Sequence, residues 1–421
     1  HAMTLSGAIP TYLVPTRNRF GIIGPILPQT LSAESVKAAI ASNPLVKSHI
    51  DPTPVHAIIT NSTYDGLTYN VTRVEELLGQ SVDRLHFDEA WYGYARFNPL
   101  YKDRFAMHGS PDDHDPSKPT VFATQSTHKL LAALSQASMI HVRNGRNPIP
   151  HGRFNESYMM HASTSPNYAI MASCDVSSAM MEAPSGQILT SEAIEEAVAF
   201  RQVISHMQSE MFSHDDWFFS CWQPPSVQVD GQAILFHEVD PARLKADPSC
   251  WVLHPNEVWH GFGDIEDGYC MLDPIKVSIL SPGMGDDGNL LDFGIPACVL
   301  TAYLGRQGIV VEKTTDFTIL FLFPRLSDEQ RQDRVQSWSR GMLEVLGIGL
   351  QVRGRPPDHA ILHRPAPRLP PPPPRDRRPR GRILCAGPRA SAGTRAGSGA
   401  RPVAHGVAGL PERRGRERRD L

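Results

Sequence analysis

The chain has 421 residues, of which 41% are hydrophobic and 20% charged, enough for two or three domains with substantial cores. No apolar run reaches the length that spans a membrane (about 18 residues), and the N-terminal residues lack the pattern of a signal peptide. The six cysteines are scattered without a CxxC pair, which argues against a zinc site or a disulfide framework and favours a cytoplasmic location.

The formal charge of −3 conceals an uneven distribution of charge along the chain. Residues 351–421 hold 17 Arg, no Lys and five acidic residues, so the first 350 residues hold 24 basic and 39 acidic side chains. A body with a formal charge of about −15 repels the phosphate backbone, which argues against nucleic acid as its partner.

Strand-like and helix-like patterns alternate over the first 190 residues. The strand-like runs are TYLVP (11–15), VHAIIT (55–60), RLHFD (84–88), TVFAT (120–124) and SMIHV (138–142). The helix-like runs are SAESVKAAIAS (32–42) and VTRVEELLGQS (71–81). This alternation predicts an α/β major domain over residues 1–190, with a mostly parallel sheet covered on both faces. In such sheets, ligands bind at the carboxyl ends of the strands.

A long helical pattern at residues 191–212 follows, and mixed helix and strand signals continue beyond it. We interpret residues 191–324 as this connecting helix and a smaller α+β domain. The long helix would then join the two domains.

Residues 325–421 have a different character, and from Gln351 onward Arg, Pro, Gly and Ala dominate. One interpretation is a basic, polyproline-rich tail that binds SH3-type domains or RNA. The other, which we favour, is a frameshifted tail, because residues with AT-rich codons are nearly absent. Both interpretations predict a disordered segment.

Lys129 stands at an unusual position in the stretch ATQSTHKLLAALSQASMIHV (123–142). Ser126 and Thr127 have the character of a helix N-cap before an apolar, Ala- and Leu-rich helix, and a helix start favours anions over an ammonium group. A lysine placed there is suited to react with a carbonyl compound. The alternative is an exposed lysine at the end of a loop, which is the commoner situation for an isolated lysine.

Two other segments place polar side chains at the same predicted edge of the sheet. A strand ends at Asp88, and a carboxylate there could keep the ring nitrogen of pyridoxal phosphate protonated, although a helix N-cap is the alternative. Asn61, Ser62 and Thr63 follow another strand. The segment PDDHDP (111–116) has residue types that bind metals, but its Pro, Gly and Ser surroundings favour a solvated loop, so no metal site is predicted.

An ordered series of segments resembles the bacterial ornithine/lysine/arginine decarboxylases, which are pyridoxal-phosphate enzymes of fold type I. The segments are NSTYDGL, HFDEAWYGYA, STHKLLAALSQASMIHV, RFNESYMMHASTSP, WHGFGDIEDGYCMLDPIKVSILSPGM and GIVVEKTTDFTILFLF. They extend over residues 1 to about 324. Within the family, residues 141–166 and TTDF look most like the biodegradative arginine decarboxylases.

The resemblance implies a fold like that of aspartate aminotransferase, and a role for each matching residue. Lys129 would hold the cofactor covalently, Asp88 would pair with its ring nitrogen, and His128 would act as a catalytic group beside the lysine. The resemblance also assigns cofactor binding to Ala90, Trp91, Ser126, His128, Thr164 and Ser165. Of these, Thr164 and Ser165 would contact the cofactor of a neighbouring subunit.

The chain departs from the family pattern at both ends. Family members carry a wing domain, a linker, a Gly-Thr-Ser phosphate loop and a ring-stacking histidine before the position that matches residue 1. We therefore expect an N-terminally truncated major domain, a partial small domain and, altogether, a fragment whose cofactor binding is an open question.

The resemblance implies decarboxylation of a basic amino acid, most closely of arginine to agmatine and carbon dioxide, in polyamine metabolism or acid resistance. Lysine or ornithine as substrate, and an inactive fragment, remain alternatives. A homodimer or higher homo-oligomer is expected, without a nucleic acid or membrane partner. Two other classes stay open: a different fold-type-I enzyme such as an aminotransferase, and a non-catalytic interaction protein that uses the basic tail.

Overall fold

The computed structural model describes residues 2–47, 49, 51–212, 219–285, 289, 291 and 294–323. The helices within these ranges are α1 (Ala2–Ser6), α2 (Ala33–Ala41), α3 (Val71–Leu78), α4 (Thr127–Leu130), α5 (His151–Met159), α6 (Tyr168–Met180), α7 (Ser185–Phe212), α8 (Pro241–Ala246) and α9 (Ala297–Arg306). The strands are β1 (Ala57–Thr60), β2 (Leu67–Tyr69), β3 (Arg84–Asp88), β4 (Thr120–Gln125), β5 (Met139–Arg143), β6 (Ser220–Cys221), β7 (Ser226–Val229), β8 (Gln232–Leu235), β9 (Cys270–Leu272), β10 (Lys276–Leu280), β11 (Lys313–Thr314) and β12 (Thr318–Leu322).

The central sheet has the strand order β1-β3-β4-β5. The first three strands are parallel and β5 runs antiparallel to β4, so the predicted mostly parallel sheet is confirmed. The predicted strand at TYLVP is wrong, because residues 11–15 form no strand. Tyr12 and Val14 are 78% and 73% exposed, and the flanking Pro10 and Pro15 have no N–H to donate to a neighbouring strand.

The two faces of the central sheet differ in their cover. Leu85 and Phe87 of β3 point into the core and are fully buried. The alternate residues point to the other face, where Ile58 of β1 lies beside His86 of β3. Ile58 is 62% exposed and Val142, on β5, is 38% exposed. In the described part of the chain this face is therefore open at its outer strands, β1 and β5, whereas Phe122 of β4 between them is buried.

The helical predictions near the central sheet are confirmed where a polar side chain caps the helix. Ser32 Oγ accepts a hydrogen bond from the Ser35 N–H at the start of α2, and the Asn70 side chain accepts one from the Arg73 N–H at the start of α3. The long predicted helix is α7, which begins six residues before residue 191.

The helix predicted after Lys129 is wrong in length. The α4 helix ends at Leu130 after one turn, and Ser126 makes no side-chain cap hydrogen bond. The chain then turns back, so that the N–H and the ring Nδ1 of His128 both contact the Ala137 carbonyl oxygen, at 3.2 and 2.8 Å. These contacts hold residues 131–137 in a turn, and a continued helix would carry Ala137 away from His128.

The second half of the described chain contains a sheet of order β11-β12-β10-β6, in which all neighbours are antiparallel. The β7–β8 hairpin is separate, and β9 pairs with β2 from the first half. One cluster of buried residues includes Phe87, Phe200 and Leu272, from both sides of position 190. The boundary between residues 1–190 and 191–324 stays a prediction.

None of the helices in the described ranges is long and apolar enough to cross a bilayer. The cytoplasmic location stays a prediction. The predicted tail, residues 325–421, lies outside the described residues.

Candidate active site

The carboxyl ends of β1, β3 and β4 lie side by side and form one edge of the central sheet. Asp88, the last residue of β3, is in register with Thr60 of β1 on one side and Thr124 of β4 on the other. Asp88 is half-buried, and its Oδ1 accepts a hydrogen bond from the Ala90 N–H at 3.2 Å. This is the edge at which parallel sheets bind ligands.

Lys129 and Trp91 meet at this edge of the sheet. The Lys129 Nζ lies 4.8 Å from the centre of the Trp91 ring, within the range of a cation–π interaction. Trp91 follows β3 by three residues and Lys129 follows β4 by four, so both chain segments leave the sheet in the same direction. Lys129 and the Asp88–Trp91 segment therefore lie at the same edge of the sheet, and the roles predicted for Lys129 and Asp88 stay predictions.

His128 and Ser126 flank Lys129 and are half-buried. The His128 ring is fixed by the contact of its Nδ1 with the Ala137 carbonyl oxygen at 2.8 Å. That contact makes Nδ1 the donor in the neutral ring, so Nε2 is the nitrogen with a free lone pair.

The HASTSP loop, which contains Thr164 and Ser165, lies between α5 and α6 and is exposed. The Ser165 N–H donates to Ser163 Oγ at 3.1 Å, within the loop itself. The structure contains one copy of the chain, and the predicted contact of Thr164 and Ser165 with a neighbouring subunit's cofactor stays a prediction.

Lys276, the first residue of β10, was not singled out from the sequence and lies beside the candidate site. It is fully buried, and its Nζ donates to Ser62 Oγ at 2.6 Å and to the Thr63 carbonyl oxygen at 3.1 Å. Burial lowers the pKa of Lys276 to about 8, and the charge of Lys129 lowers it further, while Asp273 and Asp65 act in the opposite direction. A charged residue inside the apolar run IKVSIL was the signal that could have drawn attention to it.

The turn that follows β1 is held by three charged side chains from the second half of the chain. Lys276 binds Ser62, Glu312 Oε1 accepts a hydrogen bond from the Tyr64 hydroxyl at 2.5 Å, and Lys313 Nζ lies 2.7 and 2.8 Å from the two Asp65 oxygens. These contacts join the turn at residues 62–65 to β10, β11 and the residue that precedes β11.

Glu89 is a second residue that the sequence reading assigned no role. Its side chain is fully buried, and Oε1 accepts hydrogen bonds from the Asn61 side chain at 3.1 Å and the Ala106 N–H at 2.7 Å. Oε2 accepts from the Gln125 side chain at 3.1 Å. Burial raises the pKa of Glu89 to about 7, and the three hydrogen bonds oppose that rise. Glu89 therefore ties together the residues that follow β1 and β3 and the last residue of β4.

Comparisons with known proteins agree with this architecture. The family model "Orn/Lys/Arg decarboxylase, major domain" matches residues 1–331. The chain is 54% identical to the biodegradative arginine decarboxylase of Escherichia coli over 323 residues, which are 76% of this chain and 42% of that protein. It is 46% identical to a lysine decarboxylase of Pseudomonas aeruginosa over 324 residues, 77% of this chain and 41% of that protein.

The solved structure of lysine decarboxylase A from Pseudomonas aeruginosa superposes with a TM-score of 0.72 and 43% identity, over 82% of this chain and 43% of that one. This superposition and the mostly parallel sheet confirm the predicted α/β, fold-type-I class. The chain spans less than half the length of these relatives. The family match over residues 1–331 shows that the chain belongs to the Orn/Lys/Arg decarboxylase family.

Proposed function

We propose that this chain carries the pyridoxal-phosphate site of a basic amino acid decarboxylase. The observation that carries the proposal is the meeting of Lys129 with the Asp88–Trp91 segment at the carboxyl edge of a parallel sheet. Membership of the family supports a decarboxylase over an aminotransferase or an interaction protein. The similarity to an arginine decarboxylase favours arginine as substrate and agmatine as product.

The side chains at the sheet edge fit the chemical groups of pyridoxal phosphate. An amine suits the aldehyde, a carboxylate suits the ring nitrogen, and an indole suits the flat ring. We assign these roles to Lys129, Asp88 and Trp91. Ser126 would contact the phosphate, His128 would stand beside Lys129 as an active-site group, and Ala90 would line the ring.

The bound cofactor would supply an electron sink for the pair of electrons left on the α-carbon when carbon dioxide departs. Asp88, as a carboxylate, would keep a proton on the ring nitrogen. Trp91 would hold the ring plane and exclude water from one side. The amine of Lys129 or Nε2 of His128 would return a proton to the substrate α-carbon, because both flank the same edge.

Covalent trapping of the cofactor tests the assignment of Lys129. We expect that the chain, incubated with pyridoxal phosphate and reduced with borohydride, gains one cofactor mass on the peptide that contains Lys129. Lys129→Ala should abolish this label, whereas Lys37→Ala, at an exposed site on α2, should retain it. Labelling that persists at the same level in Lys129→Ala would overturn the assignment.

Product analysis tests the substrate. Incubation with arginine, lysine and ornithine in separate reactions should give agmatine in larger yield than cadaverine or putrescine. A larger yield of either diamine would replace arginine by lysine or ornithine. Formation of a keto acid instead of an amine would support an aminotransferase and contradict the proposal.

The predicted homo-oligomer is part of the same proposal. The body of the chain is acidic, so protonation of its carboxylates at low pH reduces self-repulsion and favours assembly. Sedimentation at pH 5 should show larger species than at pH 7.5, and identical species at both values would contradict this expectation.

A further inference from the structure

We propose that Glu89 is a positioning residue, which holds the segment that carries Asp88 and Trp91 in a fixed place relative to the segment that carries Lys129. The inference rests on the proposed function and deepens it. Glu89 acts through Gln125, the last residue of β4, and is assigned no contact with cofactor or substrate. A link between two chain segments of this kind determines how their reactive groups face one bound molecule.

Glu89 holds the end of β4 with both its backbone and its side chain. Its N–H donates to the Thr124 carbonyl oxygen at 2.9 Å, which continues the contact between β3 and β4 one residue beyond Asp88. Its Oε2 accepts a hydrogen bond from the Gln125 side chain at 3.1 Å. The two contacts involve consecutive residues of β4, so they restrain the direction in which the chain leaves this strand.

The chain between Gln125 and Lys129 is short and internally bonded. The Lys129 N–H donates to the Ser126 carbonyl oxygen at 3.0 Å, and the single turn of α4 begins at Thr127. Little flexible chain therefore separates the residue that Glu89 holds from the reactive amine. A displacement of Gln125 should be passed on to Lys129.

The same two segments also pack closely against each other at Gly93. A side-chain carbon built on Gly93 would lie 3.2 Å from the Leu131 Cδ1 atom and 3.5 Å from the Gln125 Oε1 atom. The first distance is shorter than an ordinary van der Waals contact, so glycine allows the chain after Trp91 to approach this closely. This packing is independent of the Glu89 hydrogen bonds and brings the same two segments together.

The other Glu89 contacts anchor the carboxylate to the rest of the sheet edge. Oε1 accepts hydrogen bonds from the Asn61 side chain at 3.1 Å and the Ala106 N–H at 2.7 Å. Burial raises the pKa of Glu89 to about 7, its hydrogen bonds oppose the rise, and the like charge of Asp88 adds to it. N–H donors bind a carboxylate more tightly than a neutral acid, so the link between Glu89 and Gln125 is best measured at pH 8.

Hydrogen exchange of the cofactor-free chain measures this link without any turnover. Gln125→Leu removes the donor to Glu89 Oε2 and leaves the other Glu89 contacts in place. We expect the backbone amides of residues 126–131 to exchange roughly 10-fold faster in this variant, while the amides of β10 and β12 keep their rates. The matched control, Gln228→Leu at an exposed site on β7, should change neither region. Unchanged exchange of residues 126–131 in Gln125→Leu would overturn the proposal.

A reversal of the hydrogen bond separates positioning from a general effect on stability. In the double variant Glu89→Gln with Gln125→Glu, the amide stands at position 89 and donates to a carboxylate at position 125. We expect slow exchange of residues 126–131 to return in this double variant, and Leu244→Ala, at a fully buried position of α8, to lower stability without a selective effect on these residues. A double variant that exchanges as fast as Gln125→Leu would contradict the role of the hydrogen bond.

Turnover gives a second readout and distinguishes this inference from the proposed function. Misplacement of Lys129 in Gln125→Leu should lower kcat per bound cofactor roughly 10-fold to 100-fold, with KM within about threefold, and Gln228→Leu should match the unchanged chain. An active chain with equal kcat in Gln125→Leu would refute the positioning role. If the unchanged chain forms no amine from arginine, lysine or ornithine, the proposed function fails, and the exchange experiment still decides whether Glu89 holds the Lys129 segment.

Discussion

Lys276 Nζ lies 2.6 Å from Ser62 Oγ, which joins two residues separated by 214 positions in the sequence. The ammonium group is fully buried, and its two hydrogen-bond acceptors are a hydroxyl and a carbonyl oxygen. A buried cation whose direct partners are neutral is costly in its charged form. This residue therefore makes folding stability depend on pH.

Lys276→Met should remove a rise in stability at alkaline pH. Because the folded pKa is about 8 and the reference pKa is 10.5, the unfolded state binds more protons between these values, and stability rises with pH across that window. The full difference corresponds to on the order of 3 kcal/mol. Urea denaturation at pH 7.5, 9 and 10 should show the rise in the unchanged chain and in Lys37→Met, but not in Lys276→Met.

Glu89→Gln should alter the pH dependence of folding stability between pH 4.5 and about 7. The pKa of Glu89 is raised from 4.5 to about 7, so the folded state binds more protons between these values and the contribution of this group falls as pH rises through that window. The difference again corresponds to on the order of 3 kcal/mol. Denaturation midpoints between pH 4.5 and 8 should lose this component in Glu89→Gln and keep it in Glu76→Gln, at an exposed site on α3.

Arg201→Met should destabilise the fold. Arg201 on α7 is fully buried and donates to the carbonyl oxygens of Pro274 and Lys276, at 3.0 and 2.8 Å, and to the Gln223 side chain at 3.1 Å. Removing it leaves these acceptors unsatisfied, and each buried unsatisfied polar group costs about 1–3 kcal/mol. The urea midpoint measures this loss, and Arg153→Met, on the exposed surface of α5, should change it little.

Ile58→Thr combined with Val142→Thr should reduce binding of a hydrophobic dye without lowering stability. Both residues lie on the open face of the central sheet, and threonine keeps the β-branch that strands favour. We expect dye fluorescence to fall while the unfolding free energy changes by less than about 0.5 kcal/mol. Val121→Thr, at a fully buried position of β4, should instead lower stability substantially.

The parts of this fold that follow local rules could be predicted from the sequence. Alternating strand and helix patterns indicated β1, β3 and β4 as strands of one parallel sheet, and Asp88 and Lys129 lie at or just after the ends of two of them. Ser32 is a favourable cap residue, so the start of α2 was visible in the sequence. Chain order and the carboxyl-edge rule were sufficient to bring the two candidate groups together.

The residues that the sequence did not reveal depend on contacts between distant segments. Tyr64 and Glu312 are separated by 248 positions, and no periodic pattern relates them. The helix at Lys129 was overestimated for a similar reason, because the contact between His128 and Ala137 overrides the high helix propensity of Leu and Ala. Propensity describes a segment alone, whereas these positions are decided by what the segment packs against.

The open face of the central sheet also has a practical consequence. Ile58 on β1 and Val142 on β5 expose branched aliphatic side chains at the two outer strands of this face, and two copies that pack face to face there would each bury apolar surface. Self-association of that kind increases with protein concentration. We therefore expect dilution or a mild non-ionic surfactant to increase the yield of monodisperse protein.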